Sequence, residues 1–377
     1  PIAQLLFAYP RAADTIVLRF DRRPGLKIDQ LNRINIRDAE VKSLLSNPLR
    51  PNELILVLKD SLLPQTNYIL TLEPGFQDCI GMVTSLEQQI HLQLPEAPEL
   101  GDLIINEILT DPIPGAEDYL ELYNASNKVI SLESLGIRND FNDQTVALDL
   151  EVLVFPGNYI ILTENVNGVL DNYQVSNPEW VFTSDLPAFN NNEGNVQIGV
   201  LDVFGLDILD EMNYSPDMHY EFLDELEGIS LEKLSPELDG TIKDNWHSAA
   251  QTAGYGTPTA PNSQLISALN PGMNDFKLSS DRLSPDQDGF EDVLIINYNF
   301  NKPGYKTNIH IFNDRGQLIR NLGSDVLLPR SGQIKWDGLD KDGGVPGLGI
   351  YIIVIEALHP EGEFVRKKLP CVLAKKL

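Results

Sequence analysis

Cysteine is almost absent: Cys79 and Cys371 are the only two in 377 residues, and they lie near opposite ends. That spacing excludes the disulfide framework that staples small secreted domains, and two buried free thiols are expected. Basic residues are scarce as well. Twenty-eight Lys and Arg stand against 55 Asp and Glu, a formal charge of −27. A surface this acidic repels phosphate backbones, so no nucleic-acid partner is expected. It suits solubility, cation binding or exposure on a crowded cell surface. No apolar run approaches the roughly 18 to 20 residues of a membrane-spanning helix, so no transmembrane segment is expected. The five histidines (His91, His219, His247, His310 and His359) are scattered along the chain. Gly-x-Ser-x-Gly, His-Glu-x-x-His, P-loop and Gly-x-Gly-x-x-Gly patterns are all missing. An enzyme is therefore not expected within these residues. The chain begins at Pro1, without Met or signal peptide. That reads as a mature product or as part of something longer, with a targeting signal or the main activity before Pro1.

Turn-forming residues are plentiful by contrast, with 27 Gly and 25 Pro, which points to many short strands and few helices. Period-two alternation runs through Thr15–Phe20, Glu53–Leu58 and Asn67–Leu72, as in a small antiparallel sandwich. Glu96–Leu100 is a proline-bearing linker too short for free tumbling, and Ser263–Asn274 is a second, polar linker. Beyond it, strands are expected near Val293–Phe300, Asn308–Phe312 and Gly349–Leu358, with a hairpin turn at Asn313–Gly316 and a last strand from Phe364 to Ala374.

Two pieces of the middle belong together although far apart. Ile105-Asn-Glu-Ile108 and Glu121-Leu-Tyr-Asn124 form the first; Ser230-Leu-Glu-Lys233, Asn245-Trp246 and Gly256-Thr-Pro-Thr-Ala-Pro-Asn262 form the second. In this order they resemble the lamin-tail domain, which implies an immunoglobulin-like β-sandwich. Lys233 stands where that family has Arg, and Thr259 where it has Gly. The stretch Leu63–Leu72, followed by Asp78 and Gly81, is similar to bacterial Ig-like domains of surface-layer type. Asn308–Arg320, Ile334-Lys-Trp-Asp-Gly338 and Gly349-Ile-Tyr351 resemble the Ig-like domain of flagellar hook-capping proteins and of surface proteins exported by type IX secretion. These resemblances imply an all-β chain of three tandem Ig-like antiparallel β-sandwiches at residues 1–97, 98–264 and 275–377.

A fold of this kind hosts many unrelated tasks, so function must come from sites. Asp286, Asp288 and Asp292 cluster around Gly289, as a Ca²⁺ loop wants, although Ser284 and Ile295 occupy two other ligand positions of an EF-hand register. An Asx-turn network is the competing reading of the same residues. Trp246 and Trp336 read as core. Trp180, in Ser176-Asn-Pro-Glu-Trp-Val181, reads as an exposed aromatic for stacking a glycan. Asp14-Thr-Ile16 and Asp60-Ser-Leu62 resemble bacterial O-glycosylation acceptors at Thr15 and Ser61, and Asn124-Ala-Ser126 matches an N-glycosylation sequon. Taken together, a non-catalytic cell-surface or secreted protein of a Gram-negative bacterium is expected, acting in adhesion, scaffolding or presentation. Its partners would be proteins or glycans at the extracellular or outer-membrane surface. The alternatives are the accessory C-terminal region of a larger secreted nuclease, protease or glycan hydrolase, and a carbohydrate-binding module.

Overall fold

The computed structural model describes residues 3–25, 28–266, 272–286 and 291–374. The chain is built from strands, paired into seven mainly antiparallel sheets, with one seven-residue α-helix at Val166–Asn172 among the described residues. Among the described residues no sheet mixes strands from the first, middle and third segments. No helix among the described residues is long and apolar enough to cross a membrane.

In the first segment a four-stranded sheet runs in the order Leu5–Ala12, Thr15–Phe20, Glu53–Leu58, Val41–Ser46. It shares a core with Ile34–Ile36, Tyr68–Leu72 and Gln88–Leu92. Ile16, Leu18, Leu56, Leu70 and Leu92 are wholly buried there. In the third segment, Asp275–Leu278, Leu294–Asn299 and Ser331–Trp336 form one sheet. Lys306–Asn313, Leu318–Leu327, Gly349–Leu358 and Phe364–Leu373 belong to the other. Tyr351, Ile353, Ile355 and Ala357 point inward at every second position, so the expected alternation of Gly349–Leu358 is what packs the core. Trp246 and Trp336 are core residues, 3% and 0% exposed. The thiols divide: Cys371 is buried, but Cys79 is exposed, a correction that follows from its place at a tight turn beside Gly81.

The middle segment decides where a site can form. Its main sheet has the order Val181–Thr183, Tyr159–Thr163, Tyr119–Asn124, Leu103–Leu109, Leu231–Lys233, Trp246–Ser248. The two distant sequence pieces thus pair directly, through Ile108 with Leu231 and Glu107 with Glu232. One face of this sheet meets the sheet of Leu135–Asn139, Gln144–Leu148, Gly194–Asp202 and Gly205–Tyr214 across an aliphatic core. The opposite face would be solvated in a simple sandwich. Here it is covered by the helix and by the chain returning through residues 254–264, and every residue of Leu103–Leu109 is buried.

Candidate functional site

Three carboxylates lie under that returning strap, all of them 0% exposed: Glu107, Glu121 and Glu232. A register shift between Ile105 and Glu107 breaks strict alternation, so Asn106 and Glu107 both leave the aliphatic side. Glu107 accepts from Ser230 Oγ at 2.6 Å, from the Thr257 amide at 3.1 Å and from the Tyr119 hydroxyl. Glu121 accepts from Asn106 Nδ2 at 2.7 Å and the Thr259 amide at 2.6 Å. Glu232 accepts from Ser263 Oγ at 2.8 Å and the Gln264 amide at 3.0 Å. Thr257 Oγ1 lies 2.9 Å from Glu107 Oε2 and 2.8 Å from Glu232 Oε1. A hydroxyl has one proton to give, so one of those two carboxyls must hold a proton and donate it to Thr257. Burial, and then the neighbouring Glu107, push Glu232 up to about 7, and burial raises Glu107 and Glu121 as well.

The strap fits so closely that Gly256 has no room for a side chain: a Cβ there would meet Tyr119 Oη and the Tyr173 ring at 2.8 Å. Gly256→Ala is therefore expected to lower stability by about 1–3 kcal/mol through overpacking. Urea unfolding followed by circular dichroism measures this, and an unchanged midpoint would contradict the fit.

The same strap positions Trp180. Thr259, anchored by Glu121, holds φ at +61°, a conformation rare for a β-branched residue. Its Oγ1 and carbonyl bind Asn177 N at 2.7 Å and Nδ2 at 2.9 Å. Asn177 in turn starts the 3₁₀ turn Pro178–Trp180, accepting the Trp180 amide at 3.0 Å. Phe182, one strand position on, supports the indole edge-to-face at 6.3 Å. Trp180 is therefore part-buried rather than freely exposed, and it forms one wall of a cleft of about 750 Å³.

The opposite wall comes from the first segment. Arg19 lies over the Phe7 ring at 4.8 Å and pairs with Glu53, which is only 2% exposed. Arg50 joins Glu53 at 3.4 Å, and both guanidiniums also pair with Glu151 of the middle segment. Burial alone would raise Glu53, but hydrogen bonds from Arg19, Asn47 and Arg50 hold it below the usual carboxylate range. Tyr9 adds a further bridge, from its hydroxyl to Ser131 Oγ at 2.7 Å and Glu133 Oε2 at 2.8 Å. The cleft thus combines flat aromatic surface with fixed polar groups.

A second junction gathers three of the histidines that look scattered in sequence. His247 and His359 both direct Nε2 toward Gly304, and His219 Nδ1 lies 2.9 Å from Ser248 Oγ. Ser248 Oγ already accepts the Tyr220 amide, so its proton is free to go to His219. His359 Nδ1 accepts the Glu361 amide at 3.2 Å, which requires it to be unprotonated there. The charges facing this group are Lys302, paired with Glu361 and Glu363, and Lys306, which lies over the Tyr220 ring and near Asp325. Burial, then repulsion from His247, lowers His219 to about 4. A depressed histidine stabilises the fold above its unfolded value near 6.5, and this stability is lost as pH falls toward 4. Urea unfolding at pH 7 and pH 5 should show His219→Asn losing less on acidification than the wild type; parallel losses would contradict it.

The other expected site residues stay apart from the cleft. Asp286 and Asp292 flank a loop whose Asp288 lies outside the described residues. Asp286 is engaged with Ser284, whose Oγ donates to it at 3.3 Å. Among the described residues no group of three or more His, Cys, Asp or Glu is placed to hold a metal ion. Thr15 opens its strand with Oγ1 on Asp14 at 3.0 Å, and Ser61 is exposed. Asn124 is 0% exposed, with Nδ2 on the Lys128 and Val154 carbonyls at 2.8 Å, so the folded sequon offers no free amide. Sequence reasoning missed the carboxylates and the arginine wall. The one signal for the carboxylates was glutamate standing inside apolar strands that a Gly/Thr/Pro strap later revisits.

No family model and no curated protein match the chain, so the three family resemblances rest on their own residues. Solved structures with similarity include CopC from Methylosinus trichosporium OB3b, at 15% identity over 27% of this chain and 92% of that one, TM-score 0.19. Dimeric latent PorU from Porphyromonas gingivalis aligns at 11% identity over 97% of this chain and 32% of its own, TM-score 0.22. The N-terminal part of the bacterial S-layer protein SbsC aligns at 9% identity over 57% and 44%, TM-score 0.23. This chain thus spans about a third of the PorU chain. At these scores none of the likenesses informs the arrangement or the function of this chain.

Proposed function

We propose that this chain is a non-catalytic, cell-surface or secreted multi-domain protein that works in adhesion or presentation by holding a glycan. The observation that carries this reading is the cleft between the first and middle segments, with Trp180 and Phe182 on one wall and the Arg19–Glu53–Arg50–Glu151 quartet on the other. Sugars are held by an apolar ring face stacked on an aromatic plane and by planar polar groups that bind their hydroxyls. Both are present, and both are fixed by neighbouring packing before any ligand arrives, which lowers the ordering cost of binding. The acidic surface suits an exposed, soluble setting.

A glycan microarray probed with the whole chain and with Trp180→Ala tests this. Binding to one or more glycans is expected, lost in the variant, with the bound glycans recovered uncut. Release of shorter products would contradict the non-catalytic reading, and equal binding by the variant would remove the cleft from it.

A further inference from the structure

We infer that the cleft selects an uncharged oligosaccharide and grips it between both segments. This rests on the glycan reading above and narrows it to a ligand class. The deciding feature is charge. The cleft is lined by four carboxylates, Glu53, Asp149, Glu151 and Glu179, against two guanidiniums, Arg19 and Arg50. Both guanidiniums are already neutralised, because each pairs with Glu53 and with Glu151. A uronate or sulfated sugar would therefore find no free cation in that quartet, and it would enter a wall of excess negative charge on a chain of net charge −27. An uncharged ring meets no such barrier. Its C–H face stacks on the Trp180 indole, which Phe182 holds in place. Its hydroxyls donate to Glu151, which keeps 14% of its side chain exposed, and accept from the guanidiniums.

The two walls belong to different segments, tied together by Glu151 on Arg19 and Arg50 and by Tyr9 on Ser131 and Glu133. A ligand that touches Trp180 on one side and the Arg19–Phe7 stack on the other adds a further tie across the same gap. Binding is thus coupled to the docking of the first segment on the middle one, and a free middle segment would hold only half of the site.

Isothermal titration of the whole chain with cellohexaose, mannohexaose and chitohexaose, against hexagalacturonate and a heparin hexasaccharide, tests the class. At least one neutral probe is expected to bind, and both acidic probes are expected to bind at least tenfold more weakly than it. Trp180→Ala and, from the opposite wall, Phe7→Ala should each weaken the neutral probe by tenfold or more. Trp180→Phe should recover part of the loss. Circular dichroism of each variant shows that it is folded.

Acidic probes that bind as tightly as neutral ones, and lose binding in Trp180→Ala, would overturn the ligand class while leaving the glycan cleft in place. If Trp180→Ala weakens binding and a folded Phe7→Ala does not, the two-walled grip is wrong. If no probe binds, or if Trp180→Ala binds as well as the wild type, the class and the glycan reading both fail.

Discussion

In a Glu107→Ala variant the middle segment is expected to lose a large share of its stability. The carboxylate sits on the bulged strand Leu103–Leu109 and collects donors from three other places: the Tyr119 and Ser230 hydroxyls and the Thr257 amide and hydroxyl. Alanine strands the Tyr119 hydroxyl and the Thr257 amide, since Ser230 can turn to the Tyr255 carbonyl and Thr257 Oγ1 to Glu232, and each unsatisfied buried group costs about 1–3 kcal/mol. Two of them, with the cavity left by the side chain, take a large share of the stability of a typical domain, about 5–15 kcal/mol. Glu107→Gln is the informative control. Its amide can donate to Thr257 Oγ1, whose own proton then turns to Glu232, while its oxygen keeps the Tyr119, Ser230 and Thr257 amide donors, so it should fold. Chemical unfolding separates the two variants. Equal, small losses in both would show that the network is incidental to the fold.

Glu232→Gln is expected to lose less stability than the wild type as pH rises from about 5 to 8. The sign follows from the raised value. In the unfolded chain Glu232 titrates near 4.5 and in the fold near 7, so the fold prefers the protonated form. Its contribution is complete below 4.5 and disappears as pH climbs through 7. For a group with no water access the amount is on the order of a few kcal/mol. Glutamine carries the donor of the protonated acid at every pH, and so removes this slope. The measurement is urea unfolding at several pH values, with the histidine effect, which runs the other way on the acid side, present in both proteins and cancelling in the comparison. A wild type and variant that stay parallel across the range would contradict the shared proton at Thr257.

Strands that alternate and pack one face, such as Thr15–Phe20, Glu53–Leu58 and Gly349–Leu358, lie where the sequence places them, because period-two burial is a local property. Leu5–Ala12 was not legible: it carries Pro10, and two register shifts break its alternation. The second strand of the long hairpin Gly194–Asp202 with Gly205–Tyr214 was not legible, because a register shift at Leu209 breaks its alternation while Leu209, Met212 and Tyr214 still reach the core. The pairing of Leu103–Leu109 with Leu231–Lys233 was legible only through motif order. Burial of Glu107 was not, since it depends on Thr257, 150 positions away. Trp180 could be singled out from its Asn-Pro-Glu-Trp turn. The wall facing it could not, because Arg19 reaches Glu151 across 132 positions.

The most direct test of the recognition site uses the chain's own three tryptophans. Trp246 and Trp336 are 3% and 0% exposed, so a neutral quencher such as acrylamide reaches chiefly Trp180 in the folded chain. Saturation with the neutral oligosaccharide that binds best should protect this emission from quenching, and Trp180→Phe should abolish both the quenchable fraction and its protection. Quenching that is unchanged at saturating sugar would mean that the ligand does not cover Trp180, and the cleft would then not be the recognition site.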